Sequence, residues 1–482
     1  MLWTALEFPA LPLQIVERAG ISREPLVVAE GPTQRQVVAC ANEAARHAGI
    51  REGQGVAAAR ALATDLRAVE RDPQAERAAL VRLAAWAGQF TPMACVDGQG
   101  IVLEIESTVR LFEGHAKLIA AIRRGIHDLG FRATVGIAPT PLAARLFARA
   151  EARGLQVRSC LALPDLRQRL DDLPLFLLDW PEKTLARLHD LGILRLRDAF
   201  ELPAEGIARR FGPEIALSLD RLIGRIVDPR EPHVPPARFK SRLELPAETE
   251  SVQALLFPLR RMLAEFEGAL RGRGAGALRL LISLEHLRKA PTRLELDFAS
   301  PEREADFILA IARERLGRLV LAAPAIGLAL RADALLPYVP REATWLPGAK
   351  EQSIDRERLI GRLTARLGRD RIFGIALADD HRPEKGVRLN FPDSRKMTPT
   401  PFPPRPTWLL QRPQRLITRD GNPGYQGDLE LLAGPERIEA GWWDGEEVNR
   451  DYFVAANPRG ETFWVFREHR DPQAWYLHGV FA

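Results

Sequence analysis

Four acidic residues lie at or near the ends of predicted strands in the first 105 residues: Glu7, Glu17, Asp97 and Glu104. Clustered carboxylates can hold two Mg²⁺ ions about 4 Å apart, the arrangement that catalyses nucleotidyl transfer. These four are scattered among apolar positions, and acids in such a pattern are more often solvated or ion-paired. The spacing therefore favours an interpretation without a metal site.

Histidine and cysteine offer no other metal site. The nine histidines show no HxxxH spacing, and Cys40, Cys95 and Cys160 form no CxxC pair. We predict neither zinc, nor a disulfide framework, nor any other cofactor. Three widely spaced thiols are typical of the reducing cytosol, so a cytoplasmic protein is expected.

Composition limits the class of partner. The 482 residues suggest about three domains. The net charge of +5, from 68 basic and 63 acidic residues with arginine dominant, mildly favours nucleic acid over membranes or acidic small molecules. No apolar run reaches the ~20 residues of a membrane span, and the N-terminus lacks a basic signal region. We predict a soluble, untargeted protein with no membrane partner.

Hydrophobic periodicity divides the chain into five stretches: 1–165, 166–236, 237–340, 341–414 and 415–482. The first and third are mixed α/β units, and the second is helical and basic. The fourth is rich in proline and arginine, which predicts a linker. The last holds four of the nine tryptophans, which predicts a β-rich unit or an interaction surface. Within the first unit we predict a strand at 25–30 and helices at 34–49, 72–90 and 115–129.

Two segments resemble the Y family of translesion DNA polymerases. ATVGIAPTPLAARLFA (133–148) resembles a palm segment whose usual form is SVGIAPNKLLAKLAS. NEAARHAGIREGQGVAAARAL (42–62) resembles the finger segment YEARKFGVRSAMPMARAL. The resemblance covers about residues 1–340 and implies an α/β (α+β) fold. It implies palm and fingers over 1–165 (fingers about 20–78), a helical thumb over 166–236 and a little finger over 237–340.

The same resemblance exposes departures at the catalytic positions. The family motif DxDxFxxxVE aligns with FPALPLQIVE, so Phe8 and Ala10 stand where metal-binding aspartates are expected. The motif SIDEAYLDV aligns with GQGIVLEI, which puts Gln99 and Gly100 at its Asp–Glu pair. We therefore predict no catalytic residues and no bound metal.

The positions that contact nucleotide and DNA in the family also depart from its pattern. Arg46 matches the triphosphate-binding arginine of the family, and Arg145 keeps a positive charge at a later lysine, so both are predicted remnants of nucleotide binding. Glu43 replaces a tyrosine and would repel phosphate. The phosphate-binding thumb hairpin LPGVG becomes LLDWP, with Asp179 in place of a glycine.

Basic residues of the little-finger stretch are predicted to contact DNA phosphates. Such contacts need charge and reach rather than fixed geometry. A solvated basic face is the alternative. The predicted residues are Arg260, Arg261, Arg271, Arg273, Arg279 and Lys289.

The tail resembles the ImuB group of polymerase-like proteins, in particular at GPERIEAGWWDGEEVNRDYFVAANPRGETFWVFREH (434–469). This resemblance implies a non-catalytic adaptor in mutagenesis. The implied partners are DNA, the sliding clamp, a RecA-like ImuA protein and an error-prone C-family DNA polymerase. Members carry a clamp-binding peptide after the little finger, and REATWLPG (341–348) offers Trp345 and Leu346 as its anchors. Aromatic residues dominate interface hot spots, so the predicted partner contacts are Trp442, Trp443, Trp464 and Trp475.

Two further interpretations remain open. The chain could be a Y-family DNA polymerase with residual or divergent activity that depends on Asp97 or Glu104. It could also be a binder of single-stranded DNA that needs no protein partner. Primer extension separates the first from the adaptor, and deletion of 415–482 separates the second.

Overall fold

The computed structural model describes residues 1–20, 24–156, 159–338, 371–390 and 404–481, together with 356, 359–364 and 366–367. The chain forms two compact units, residues 1–346 and 347–482. Within the described residues, no helix combines the length and apolar character needed to span a membrane.

A four-stranded palm sheet organises the first unit. Its strands are β1 (Trp3–Glu7), β5 (Ala94–Asp97), β6 (Gly100–Glu104) and β7 (Thr134–Ala138), in the antiparallel order β5–β6–β1–β7. Helices α4 (Pro73–Ala87) and α5 (His115–Asp128) cover one face, and α6 (Pro141–Ala152) covers the other. Side chains alternate along a strand, so Leu6 packs under α4 and α5 while Trp3 and Ala5 pack under α6. Both faces of β1 are therefore buried.

The finger segment is a small sheet with short helices. Its elements are α1 (Leu11–Glu17), β2 (Leu26–Glu30), β3 (Val37–Ala41), α2 (Glu43–His47), α3 (Val56–Leu62) and β4 (Arg67–Glu70). The strand order is β3–β2–β4. The strand prediction at 25–30 is confirmed, but the helix predicted over 34–49 is wrong in its first half. Val37 and Val38 pair with β2 instead, because β-branched side chains suit a half-buried strand.

Five short helices follow the palm: α7 (Leu163–Leu170), α8 (Glu182–Asp190), α9 (Leu196–Phe200), α10 (Ala204–Phe211) and α11 (Pro213–Leu222). Each is too short to be stable by itself in water. Their buried leucines, including Leu166, Leu188 and Leu219, join the core that lies under α6. This helical region is thus continuous with the palm core.

A second α/β layer completes the first unit. Its elements are β8 (Phe239–Thr249), α12 (Val252–Gly272), β9 (Ala275–His286), β10 (Thr292–Glu302), α13 (Ala305–Leu316), β11 (Ala325–Ala332) and β12 (Leu335–Pro337). The strand order is β10–β9–β11–β8, with β12 beside β9.

Helix α12 packs against α4 of the palm at unusually short range. A Cβ on Gly268 would lie 2.1 Å from Trp86, and one on Gly272 would lie 2.7 Å from the Gly88 backbone. Glycine at these two positions allows the helices to approach so closely. Little finger and palm therefore form a tightly packed junction.

The second unit is rich in strands. A hairpin of β13 (Gly374–Leu377) and β14 (Val387–Asn390) precedes β15 (Trp408–Arg415), β16 (Ile417–Arg419), β17 (Asn422–Gly424), β18 (Glu430–Ala440), β19 (Val448–Ala456), β20 (Thr462–Glu468) and β21 (Asp471–Val480). The main sheet has the order β15–β21–β20–β19–β18. It begins at Trp408, inside the predicted linker 341–414, because Trp408 pairs with Val480. That predicted boundary is therefore several residues too late.

Candidate functional site

Strand register brings two acidic residues together at one edge of the palm sheet. Glu7 ends β1 and lies opposite Gly100 on β6, and Asp97 ends β5 and lies opposite the same glycine. Only 7% of the Glu7 side chain and 16% of the Asp97 side chain are exposed. Two largely buried carboxylates need cationic partners, since an unpaired buried charge is costly.

Arg145 on α6 supplies that cation. Its Nε donates to Glu7 Oε1 at 2.9 Å, its Nη1 to Asp97 Oδ1 at 2.9 Å, and its Nη2 to Asp179 Oδ2 at 2.6 Å. Asp179 comes from the segment before α8. One guanidinium therefore joins three carboxylates, which uses the fixed fork geometry that lysine lacks.

Two more arginines extend these contacts. Arg149, one helical turn after Arg145, donates to Glu7 at 2.9 Å and to Asp179 at 2.7 Å. Arg230 donates to Asp97 at 2.6 Å and also pairs with Asp228. Burial alone would raise the pKa of Asp179, but hydrogen bonds and charge from Arg149 and Arg145 lower it. We call this set the palm-edge network: Glu7, Asp97, Arg145, Arg149, Asp179, Asp228 and Arg230.

Two glycines make room for the palm-edge network. Gly98 has a φ of +60°, and a Cβ there would lie 2.1 Å from Arg145 Nη2. A Cβ on Gly100 would lie 2.3 Å from the carbonyl oxygen of Leu6. Since real Cβ atoms do not approach so closely, a side chain at either position would displace Arg145 or separate β6 from β1.

The predicted degenerate positions surround this edge. Phe8 is 1% exposed, faces the core under α4 and α5, and meets Phe131 edge to face with ring centroids 6.1 Å apart. Ala10 precedes α1 as its N-cap, and Gln99 is exposed in the hairpin turn. Gly100 is the buried partner of Glu7.

These residues do not fit the pair of Mg²⁺ ions that a Y-family polymerase would hold. The two carboxylates that converge at the edge, Glu7 and Asp97, are already paired with Arg145. Glu104 instead accepts hydrogen bonds from the backbone and hydroxyl of Ser107. Glu17 lies near Asn42, and burial raises its pKa.

The predicted nucleotide-binding remnants are not brought together. A cavity of about 450 Å³ between palm and fingers is lined by Phe8, Gln99 and Arg71 among others, but not by Arg46 or Arg145. Glu30 and Glu76 are the two acidic residues of that lining, and Arg71 donates a hydrogen bond to each at 2.7 Å. Arg145 lines a separate cavity of about 390 Å³ between palm and thumb.

Arg46 and Arg145 therefore differ in their availability. The structure departs from the prediction for Arg145, because three carboxylates already occupy its guanidinium. Arg46 is exposed on α2. Its nucleotide contact stays a prediction.

Most of the basic residues predicted to bind DNA have intramolecular partners. Arg261 donates to the Arg18 carbonyl, and its pKa is lowered by burial and by the charge of Arg18. Arg260 is exposed and has no polar partner among the described residues. The other four are held as follows: Arg271 by Glu267, Arg273 by the Pro235 carbonyl, Arg279 by Asp297 and Lys289 by the Ala322 carbonyl. DNA contact stays a prediction, with Arg260 the most available of the six.

The four tail tryptophans separate into two pairs. Trp464 and Trp475 are 2% and 4% exposed, so the structure departs from their predicted partner contacts. Inward strand positions bury them, and Trp464 stacks on Tyr452 at 4.0 Å. Trp442 and Trp443 are 77% and 55% exposed between β18 and β19. Trp345 and Leu346 lie outside the described residues.

Arg382 supports the exposed tryptophan pair. Its guanidinium lies 5.4 Å from the Trp443 ring and pairs with Asp380 and Asp444, each at 2.7 Å. Hydrogen bonds from Arg382 and Lys385 hold the pKa of Asp444 well below its usual range. The two indole rings lie nearly perpendicular, with centroids 5.5 Å apart. An anchored pair of exposed rings is suited to contact another macromolecule.

Sequence reasoning missed the palm-edge network and Arg382. One signal was present: Arg145 and Arg149 are four residues apart and therefore share a helix face. Their shared acidic partners Glu7 and Asp179 lie at least 30 residues away in the sequence, and Glu7 more than 130, so local spacing could not identify them.

Part of the chain matches a known protein family. Residues 10–149 match the model of the impB/mucB/samB family. Among solved structures, the chain is similar to DinB from Sulfolobus solfataricus (19% identity, 70% of this chain and 100% of that chain, TM-score 0.39). An insertion ternary complex of Dbh DNA polymerase is also similar (19% identity, 70% and 99%, TM-score 0.40).

A particular relative resembles most of the chain. Protein ImuB of Caulobacter vibrioides, in strains NA1000 and CB 15, is 28% identical over 475 residues, which cover 90% of this chain and all of the relative. The predicted resemblance to ImuB is thereby confirmed. The predicted α+β polymerase-like fold with a C-terminal extension is confirmed as well.

Proposed function

We propose that this protein is a non-catalytic adaptor in DNA-damage tolerance and SOS-induced mutagenesis. The position of Arg145 carries the proposal. Its guanidinium lies between Glu7 and Asp97, the only acidic pair that strand register brings together at the described edge of the palm sheet. An arginine neutralises these acids but supplies neither the Lewis acid nor the activated nucleophile that a metal ion provides.

The proposed partners follow the resemblance to ImuB. They are DNA, the sliding clamp, an ImuA-like protein and an error-prone C-family polymerase that performs the synthesis. In this proposal the palm, fingers, thumb and little finger of residues 1–340 associate with DNA. The clamp binds through Trp345 and Leu346, and the C-terminal unit recruits the protein partners. The exposed Trp442–Trp443 pair supports that last assignment.

Primer extension tests the absence of catalysis. We expect the purified chain to add no nucleotides to a primed template with Mg²⁺ or Mn²⁺, because Arg145 occupies the acids at the palm edge. Matched controls are the Asp97→Asn and Glu104→Gln variants and an active Y-family polymerase. Extension that survives purification and disappears in either variant would instead identify a divergent polymerase.

Substitution of the tryptophan pair tests recruitment. We expect Trp442→Ala combined with Trp443→Ala to weaken binding of the ImuA-like protein or the C-family polymerase at least tenfold, since buried interface aromatics contribute about 2 kcal/mol or more. Binding is measured by surface plasmon resonance with the full chain immobilised. Trp408→Ala is the matched control, because Trp408 is 71% exposed in the same unit but outside the pair. Equal losses from Trp408→Ala, or none from the double variant, would refute this assignment.

A further inference from the structure

A cavity of the first unit lies where α4, α12 and the segment leading into β8 meet. Its volume is about 630 Å³, within the range of roughly 300–1,000 Å³ that is typical of ligand-binding pockets. The floor is mainly aliphatic, built from Ala78, Val81, Ala85, Ala269, Leu270 and Leu335. We call it the α4–α12 pocket. It is distinct from the palm-edge network, whose seven residues contribute nothing to its lining.

Every charged side chain that lines this pocket is basic. Arg77, Arg238 and Lys240 are exposed and have no acidic partner among the described residues. Arg273 donates to the carbonyl of Pro235 at 2.7 Å, so its charge is not neutralised by an acid. Arg82 is the exception, since Glu265 lies 3.0 Å from its Nε behind the floor. The pocket thus combines an apolar floor with a rim of uncompensated positive charge.

On the open face of the adjacent sheet several arginines have acidic partners. There Arg242 pairs with Glu285 and Arg279 with Asp297. Arg331 likewise pairs with Asp333. These neighbouring acids neutralise part of the positive charge on that face. At the pocket Arg77, Arg238 and Lys240 have no acidic partner among the described residues, which argues for an anionic ligand there.

We propose that the α4–α12 pocket binds an acidic segment of a partner protein, in which aliphatic side chains are flanked by Asp and Glu. The aliphatic side chains fill the floor, and the carboxylates meet Arg77, Arg238 and Lys240 at the rim. Single-stranded nucleic acid fits less well, because its bases bind by stacking on aromatic rings. Phe239, the only phenylalanine, tyrosine or tryptophan in the lining, is only 7% exposed.

Fluorescence anisotropy with the full chain tests the proposal. The probe is a labelled peptide of roughly twelve residues, with a central Leu–Leu–Val segment flanked by Asp and Glu. We expect saturable binding with a Kd below about 100 μM. Replacing the aliphatic segment with Ser should weaken binding about tenfold or more, because the floor then loses its ligand.

Three variants locate the interaction. Arg238→Glu with Lys240→Glu reverses the rim charge, and Ala78→Glu puts an acid at an exposed position of the pocket without disturbing the core. Each should weaken binding of the peptide about tenfold or more. The matched control is Arg209→Glu with Arg210→Glu, which reverses two exposed charges on α10 of the thumb and should leave binding unchanged.

Several results would overturn the proposal. One is the lack of saturable peptide binding up to about 1 mM. Another is equal binding of the Ser-substituted peptide, which would reduce the interaction to charge alone. A third is displacement of the peptide by oligo(dT), if oligo(dT) binds more tightly than the peptide and Ala78→Glu weakens both ligands equally. The pocket would then be a nucleic-acid surface.

Discussion

Replacing Arg145 with Ala is expected to lower the free energy of unfolding of the first unit by about 3–5 kcal/mol. The substitution removes three charge-assisted hydrogen bonds at once, to Glu7, Asp97 and Asp179, and such losses at largely buried groups sum to an effect of this size. Arg149 still contacts Glu7 and Arg230 still contacts Asp97, so each of these acids keeps one cation. Arg145→Lys should also be destabilising, since a single ammonium cannot reproduce three separate guanidinium contacts.

Native-state hydrogen exchange measures this effect where it arises. Amides of β1, β5 and β6 should lose protection, and so should the thumb residues next to Asp179. Arg123→Ala is the matched control, because Arg123 pairs with Glu151 on the surface, where both side chains are more than 40% exposed. Such surface pairs contribute only about 0–1 kcal/mol. If Arg145→Ala and Arg123→Ala have equal effects, the palm-edge network does not stabilise the unit.

Replacing Glu265 with Ala is expected to have a similarly large effect at the junction of palm and little finger, about 3–5 kcal/mol. Glu265 on α12 pairs with Arg18 of the palm, and both side chains are only 2–3% exposed. Arg82 on α4 is its second partner, at 3.0 Å. Burial would raise the pKa of Glu265, but the charges of Arg18 and Arg82 lower it. The substitution would leave the Arg18 guanidinium buried without an acid.

Loss of this pair should also separate the layers that it joins. We expect faster hydrogen exchange in α4 and α12 and a larger radius of gyration in solution scattering. The proposed peptide affinity of the α4–α12 pocket should fall as well, because the pocket needs both helices. Glu244→Ala is the control, since Glu244 is 74% exposed and pairs with surface Arg242. Unchanged exchange in α12 would mean that the glycine contacts alone hold the junction.

Local patterns predicted two of the longer helices of the first unit. The predicted helices 72–90 and 115–129 correspond to α4 and α5, and the apolar faces of both pack into the same hydrophobic core. The failure at 34–49 has a physical cause. Val37 and Val38 pair with β2, and this tertiary pairing overrides the helical tendency of the residues that follow.

The candidate site was less accessible to sequence reasoning. Phe8 and Gly100 could be recognised as departures from a family pattern, but that pattern does not indicate which contacts this chain forms at the same edge. The answer depends on Asp179 reaching Arg145 from the thumb and on Gly98 leaving space for the guanidinium. Contacts between distant segments are fixed by the assembled fold rather than by local spacing.

The lack of a side chain at Gly100 bears on how this protein can change over evolutionary time. A carboxylate introduced there alone would force β6 away from the Leu6 carbonyl, and an aspartate at Phe8 alone would enter the core unpaired. Each single substitution toward a metal centre is therefore harmful by itself, because Arg145 still pairs with the existing acids. Several coordinated substitutions would be needed before any gain appeared. If the chain is the proposed non-catalytic adaptor, single substitutions at the palm edge cannot build a metal centre, and selection can refine its binding surfaces more readily than it can create one.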